Sequence, residues 1–232
     1  AEALKPVLAD IDWQGRPRKV MLFANRNGMF YVLDRATGEF LKGQPFVKVN
    51  WATGFDAKGR PIQVVEPSRE GTLVYPGNQG ATNWYNPSFS PRTGLFYIPT
   101  WENSSSVYSL GAAPPEFHEG QTFAGAFPGR GARGDDTYSA IRALDPKTGE
   151  KKWDYRMASP STDAGVLTTA SDVLFSGGRD GGFFALDARD GKLLWQTNIG
   201  PSVMSGPMTY SVDGNQYVSV VAGNVLFTFG LR

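Results

Sequence analysis

Few residues of this chain combine a reactive type with a suggestive setting. Arg26 stands in an Arg-Asn-Gly run. An arginine keeps its charge and presents a planar fork of donors, so it suits stabilising charge on an oxygen. Arg-Asn-Gly is equally good turn chemistry, and by itself it predicts only a solvated turn arginine. Asn83 and Trp84 are neighbours: an amide able to hydrogen-bond a ligand beside an indole that can line a pocket or pack in a core. Trp51, Trp84 and Trp101 are candidate stacking platforms for a sugar. His118 is the only histidine and falls in a Pro/Gly-rich loop, where a solvated imidazole is expected. Asp135-Asp136 has the form of a metal pair, but adjacent loop aspartates are expected to face water. Asn103-Ser104-Ser105 fits a glycosylation sequon.

Composition narrows the chemistry. The chain has 232 residues, with 28 glycines, 16 prolines and 13% aromatic residues. That length can bury a sizeable core, and the mix favours many short strands joined by tight turns. The formal net charge is +1 and no basic tract stands out, so nothing points to nucleic acid or an anionic membrane. With no cysteine, a disulfide framework, a thiolate metal site and a cysteine nucleophile are excluded within these residues. No stretch approaches the roughly 18 apolar residues of a membrane span. Ala1 to Asp10 reads as ordinary surface chain and not as a signal peptide.

The elements that must position these residues come from a repeat. Residues 143–153 read ALDPKTGEKKW and residues 185–195 read ALDARDGKLLW. The two share Ala-Leu-Asp, a glycine four residues after the aspartate and a closing tryptophan, at an offset of 42 residues. That offset is near the period of about 40 to 45 residues of a four-stranded propeller blade. A third copy, VLDRATGEFLK from Val32 to Lys42, keeps Asp34 and Gly38 but has Lys42 where the others have Trp153 and Trp195. In each copy a strand leads into a turn whose aspartate caps the turn amides and whose glycine supplies a positive φ. The next strand carries a ring able to fill the seam between neighbouring blades. A plain β-hairpin would account for one copy, but not for two with a matched tryptophan.

The reading is one all-β domain over residues 1–232, a partial β-propeller of about four blades. The first blade has strands near Pro6–Ala9, Lys19–Ala24, Met29–Asp34 and Phe40–Phe46. The second has Asn86–Ser90, Leu95–Thr100, Ser139–Asp145 and Lys151–Arg156. The third has Gly165–Thr169, Val173–Ser176, Gly182–Asp187 and Leu193–Asn198. The fourth has Pro207–Ser211, Gln216–Ala222 and Val225–Phe229. Two irregular insertions, about 47–83 and 101–138, break the period. Loops of that length are expected to lie on the faces of the propeller, where ligands bind.

Within this frame, four segments resemble the pyrroloquinoline quinone (PQQ)-dependent, or quinoprotein, alcohol dehydrogenases. ANRNGMFYVLDRATGEFL (Ala24–Leu41) is similar to the stretch that carries a cofactor-facing arginine or lysine. NQGATNWYNPSFSPRTGLFYIPT (Asn78–Thr100) is similar to their Gly-Ala-x-Asn-Trp stretch. GVLTTASDVLFSGGRDGGFFALDARDGKLLWQTNIG (Gly165–Gly200) and PMTYSVDGNQYVSVVAGN (Pro207–Asn224) resemble their last two blades. The resemblance covers nearly the whole chain and implies an eight-bladed propeller with PQQ near its axis on a calcium ion, or in some members a lanthanide. It implies oxidation of alcohols in the periplasm by hydride transfer to PQQ, an aspartate as general base, the metal as Lewis acid, and cytochrome c as electron acceptor.

By the same resemblance Arg26 would sit at the reactive quinone oxygens, Asn83 would hydrogen-bond the cofactor, and Trp84 would pack beside it or line the substrate pocket. Asp163 and Ala164 occupy a cofactor-side position that is a tryptophan in many members, so this chain departs from the pattern there and its substrate range is open. Asn224 stands where longer relatives carry another tryptophan-bearing loop. The metal ligands (a glutamate and an asparagine), the catalytic aspartate and the vicinal cysteines of many members fall upstream of these residues. So does the strand that would close the fourth blade. No metal ligand is therefore expected here, and the expected partner is the other part of the propeller or a second copy of this chain. Two rival readings stand: a non-catalytic propeller scaffold of the kind used in outer-membrane assembly, and a sugar-binding propeller.

Overall fold

The computed structural model of the chain describes residues 5–111, 116–120, 125–130 and 136–230. Its strands are, in order, β1 (Val7–Trp13), β2 (Arg16–Ala24), β3 (Met29–Asp34), β4 (Phe40–Pro45), β5 (Ala52–Phe55), β6 (Pro61–Gln63), β7 (Thr72–Val74), β8 (Ser88–Ser90), β9 (Leu95–Glu102) and β10 (Ser106–Leu110). There follow β11 (Ala126–Arg130), β12 (Tyr138–Leu144), β13 (Lys151–Arg156), β14 (Leu167–Thr168), β15 (Val173–Gly177), β16 (Gly182–Asp187), β17 (Leu193–Asn198), β18 (Met208–Val212), β19 (Asn215–Ala222) and β20 (Val225–Gly230). They form three four-stranded antiparallel sheets, β1-β2-β3-β4, β8-β9-β12-β13 and β14-β15-β16-β17, and a three-stranded sheet β18-β19-β20. These are the blades of an open propeller, and the strands expected from the repeat are all present.

The repeat turns fold as their residue types require. The Oδ1 of Asp34 accepts the Ala36 and Thr37 amides at 2.9 Å, that of Asp145 the Lys147 amide at 2.8 Å, and that of Asp187 the Arg189 amide at 2.9 Å. In all three the glycine amide closes the turn on the aspartate carbonyl. Each turn is preceded by a register shift, at Val32/Leu33, Ala143/Leu144 and Ala185/Leu186. The shift fixes the next strand so that Lys42, Trp153 and Trp195 stand opposite Val32, Ala143 and Ala185.

Three apolar cores lie between successive blades, because each sheet turns alternate residues to each face. The first joins Val20, Leu22, Phe30 and Val32 to Phe96, Ile98 and Leu144. The second joins Tyr97, Ile141 and Ala143 to Leu174, Phe184 and Leu186, with Trp153 against it. The third joins Ala164 and Phe183 to Val203, Val218, Val220 and Ala222. At the second seam the Trp153 ring covers the turn glycine Gly191, and at the first Gln44 does the same for Gly149. Gln44 also donates from Nε2 to the Gly149 carbonyl. A polar plug thus stands in for the ring that the first repeat lacks.

An ion cluster locks the first seam. Arg142 is 3% exposed. It donates from Nε and Nη2 to the two Asp154 carboxylate oxygens at 2.8 Å each, and from Nη1 to Glu102 Oε2 at 2.7 Å. Nη1 also reaches the Phe46 carbonyl of the first blade, and Glu102 Oε1 accepts the Lys48 amide at 2.8 Å. Burial alone would lower the arginine's pKa, but the bonds to Asp154 and Glu102 outweigh it and raise it.

The insertions differ from the irregular loops expected. They carry a hairpin, β5-β6, and a three-stranded sheet in the order β11-β10-β7. Phe55 of the hairpin packs on Tyr31 and Phe40 of the first blade, with ring centroids 5.5 Å apart in each case. Among the described residues no helix is long and apolar enough to cross a membrane.

Candidate functional site

The strand-connecting turns at one end of the blades bring several of the expected residues together. Arg26 lies in the turn Asn25–Gly28 between β2 and β3. Its carbonyl accepts the Ala81 amide at 2.9 Å, and Nη2 donates to the Asn78 carbonyl. The loop 78–85 is therefore tied onto Arg26, and Gly80 lies so close that a methyl group there would come within 2.8 Å of the Arg26 Cβ. In the same loop Asn83 folds its amide inward: Oδ1 accepts the Trp84 amide at 2.9 Å and Nδ2 donates to the Gln79 carbonyl at 3.3 Å. Trp84 leaves 44% of its surface exposed and packs on Tyr85 with ring centroids 5.1 Å apart. The Asn25–Gly28 turn and the loop tied to it thus join a guanidinium and a half-open indole in one hydrogen-bonded unit.

Asp163 reaches this loop from the start of the third blade. Its side chain is 6% exposed. Oδ1 accepts the Tyr85 hydroxyl, and Oδ2 accepts both Nε and Nη2 of Arg179. Burial first, and the bond to the carboxylate second, push the Tyr85 phenol far above its ordinary range, while the Arg179 and Arg26 guanidiniums both pull the other way. Arg179 is held protonated chiefly by its bond to Asp163. Ala164 is fully buried beside Phe183 and Val203, so its methyl group packs the core that seats Asp163.

The other candidates stand apart. Trp101 is buried, with Nε1 donating to the Thr162 carbonyl at 2.9 Å, and Trp51 donates from Nε1 to the Asn27 carbonyl at the same distance. Of the three indoles considered as stacking platforms, only Trp84 presents an exposed face, Trp51 being half-buried. Asn224 is exposed in the β19–β20 turn. His118 is exposed and 4.0 Å from Glu116. Asp136 is exposed, and Asp135 lies outside the described residues. Asn103 donates to the Asp136 carbonyl at 3.2 Å. Tyr85 and Arg179 are the members of the cluster that residue types alone did not single out. A signal for Arg179 existed: it stands eight residues before Asp187, as Arg26 stands eight before Asp34.

Comparisons with known proteins fall on the same architecture. Residues 156–218 match the family model described as PQQ: glucose/ethanol/alcohol dehydrogenase, beta-propeller domain. The chain is 40% identical over 230 residues to 1-butanol dehydrogenase (cytochrome c) of Thauera butanivorans, covering 94% of this chain and 33% of that protein. Its structure is similar to the crystal structure of quinohemoprotein alcohol dehydrogenase from Comamonas testosteroni, with a TM-score of 0.85 and 35% identity over 94% of this chain and 34% of the other. It is also similar to a europium-containing methanol dehydrogenase, with a TM-score of 0.82 and 32% identity over 94% of this chain and 38% of the other. The chain thus spans about a third of the length of the relatives it matches.

Proposed function

Because this chain belongs to the PQQ-dependent (quinoprotein) alcohol dehydrogenase family, we propose that it forms one wall of the cofactor site in an enzyme that oxidises alcohols by hydride transfer to PQQ. The observation that carries this reading is the convergence of Arg26, Asn83-Trp84 and the Asp163–Arg179 pair at one end of the blades. PQQ is a planar quinone bearing carboxylates. The half-open Trp84 face suits its ring, and the guanidiniums suit its oxygens. When bound, it supplies the hydride acceptor, with a calcium or lanthanide ion polarising its carbonyl.

This chain's own residues bind and orient. Arg26, held by Asn78, brings a permanent positive charge to the site, where it favours negative charge developing on an oxygen. Trp84 covers a face and excludes water from it. Asp163 does not serve as general base, since both its oxygens already accept bonds from Tyr85 and Arg179. Among the described residues no three His, Cys, Asp or Glu side chains group to hold a metal. The base and the metal ligands are assigned to the remainder of the enzyme, as the family resemblance implies.

That remainder is also the natural neighbour of the last blade. One face of β18-β19-β20 packs on the third blade through Val218, Val220 and Phe229. The other exposes Met208, Tyr210, Val212, Val221 and Leu226. A sheet apolar on both faces calls for cover on both. By analogy with the relative named 1-butanol dehydrogenase (cytochrome c), the acceptor is a cytochrome c; the periplasm is the compartment that the family resemblance implies. The test is alcohol-dependent dye reduction with PQQ and Ca²⁺, by this chain alone and by a protein joining it to the portion its relatives also carry. Turnover only in the longer protein is expected. Turnover by this chain alone would overturn the assignment of the base, and PQQ binding by neither would favour a scaffold.

A further inference from the structure

The turn that carries Arg179 repeats the turn that carries Arg26. Asn25–Gly28 and Gly178–Gly181 each link the second strand of a blade to the third. Each closes with the same pair of bonds: Gly28 to the Asn25 carbonyl at 3.0 Å and Asn25 to the Met29 carbonyl at 2.9 Å, then Gly181 to the Gly178 carbonyl at 3.2 Å and Gly178 to the Gly182 carbonyl at 2.9 Å. The arginine is the second residue of both turns, so the two side chains leave the same end of their blades.

Arg179 is more tightly fixed than a turn arginine requires. Ser202 Oγ donates to its carbonyl at 2.6 Å, the Val203 amide to the Gly178 carbonyl at 3.0 Å, and Asn198 Nδ2 to the Asp180 carbonyl at 3.0 Å. Asp163 engages Nε and Nη2. The carboxylate is buried, yet the Arg179 side chain is 44% exposed, and its Nη1 makes no hydrogen bond to the described residues. The result is an immobilised cation with one N–H edge open, on the same carboxylate that takes the Tyr85 hydroxyl. A guanidinium already ordered by one carboxylate can bind a second with little further loss of side-chain freedom.

We propose that the open edge of Arg179 is a carboxylate-binding subsite of the same site, which makes Arg179 a residue that determines specificity for an anionic ligand. The inference rests on the function proposed above. The carboxylate comes either from the substrate, an alcohol with an acid group at its far end, or from the cofactor.

The experiment compares the complete enzyme with two variants. Arg179→Gln removes the cation but strands the buried Asp163, whereas Asp163→Asn/Arg179→Gln removes both charges and leaves Tyr85 a partner, so it guards against misfolding. Two readouts are taken: the ratio of kcat/KM for 4-hydroxybutyrate to that for 1-butanol, which differ only in carboxylate against methyl, and the Kd for PQQ by quenching of tryptophan fluorescence. A fall of about tenfold or more in the ratio, the scale of a lost charge-assisted bond, assigns the edge to the substrate. A comparable rise in the PQQ Kd assigns it to the cofactor. If 1-butanol is oxidised but a folded double variant moves neither readout, the pair is structural and this inference alone fails. An enzyme that neither binds PQQ nor oxidises either alcohol sinks the parent reading with it.

Discussion

The indole of Trp153 lies against Gly191 of the next blade, so close that a methyl group on Gly191 would come within 2.6 Å of the ring. Gly38 holds the equivalent turn position in the first blade with nearly the same φ, +78° against +75°, and a methyl group there would meet nothing within 4 Å. The two glycines separate backbone strain from packing. Gly38→Ala should cost about 1–2 kcal/mol for a left-handed residue bearing a Cβ. Gly191→Ala should cost that and about 1–3 kcal/mol more, because the ring must shift within a packed seam. Urea unfolding of both variants decides it. Equal losses would mean that the Trp153 contact does not constrain the seam.

The Arg142 cluster predicts how the fold responds to acid. Burial alone would raise the Asp154 carboxyl, but its bonds to Arg142 hold it below the usual carboxylate range. A carboxylate lowered by folding contributes stability above its unfolded value of about 3.9 and loses that contribution as pH falls through the lowered folded value. Wild-type stability should therefore drop from about pH 4 downward. In Asp154→Asn that component should vanish, and at pH 7 the variant should be less stable by about 3 kcal/mol, since buried Arg142 keeps only Glu102 as an ionic partner. An unchanged acid slope in the variant would remove Asp154 from the account.

Arg26 should matter to turnover more than to folding. In the complete enzyme, Arg26→Ala should lower kcat by about 10² to 10³, the scale of one lost preorganised donor. Arg26→Lys should recover part of it, since charge returns without the planar fork. Steady-state rates and PQQ Kd are to be measured together with the unfolding midpoint. A lowered midpoint with unchanged rate and Kd would return Arg26 to the role of a turn residue.

The blades were legible in the sequence because their signal is local. Asp34, Asp145 and Asp187 each set a turn from residues within a few positions, and the strand pattern follows from it. The three-stranded sheet of the insertions was not legible, since its pairing joins separated segments: Val74 meets Ser106 and Leu110 meets Ala126. The site was half legible. Arg26 and Trp84 stood out as types in a motif, whereas Tyr85 and Arg179 gain their meaning from Asp163, whose sequence separations of 78 and 16 residues no local pattern bridges. Arg179 could have been found by extending the repeat eight residues back from Asp187. Ala164 entered through the family resemblance and Trp101 as a possible stacking ring, and the fold buries both side chains.

The last blade predicts the chain's behaviour in isolation. Met208, Tyr210 and Val212 alternate along β18 and share a face with Val221 and Leu226, which stand opposite each other in β19 and β20. All five are exposed, and among the described residues β20 pairs on one side only. An uncovered apolar face next to an unpaired strand edge favours association. Sedimentation velocity over a hundredfold range of concentration should show concentration-dependent dimers or larger species of this chain alone. Val221→Lys/Leu226→Lys should shift it toward monomer without loosening the seam to the third blade, because Val220 and Phe227 point the other way. In the longer protein the same double substitution should instead lower stability, by charging a face that the next blade covers. Wild-type chain that stays monomeric throughout would overturn the claim that this face needs a partner.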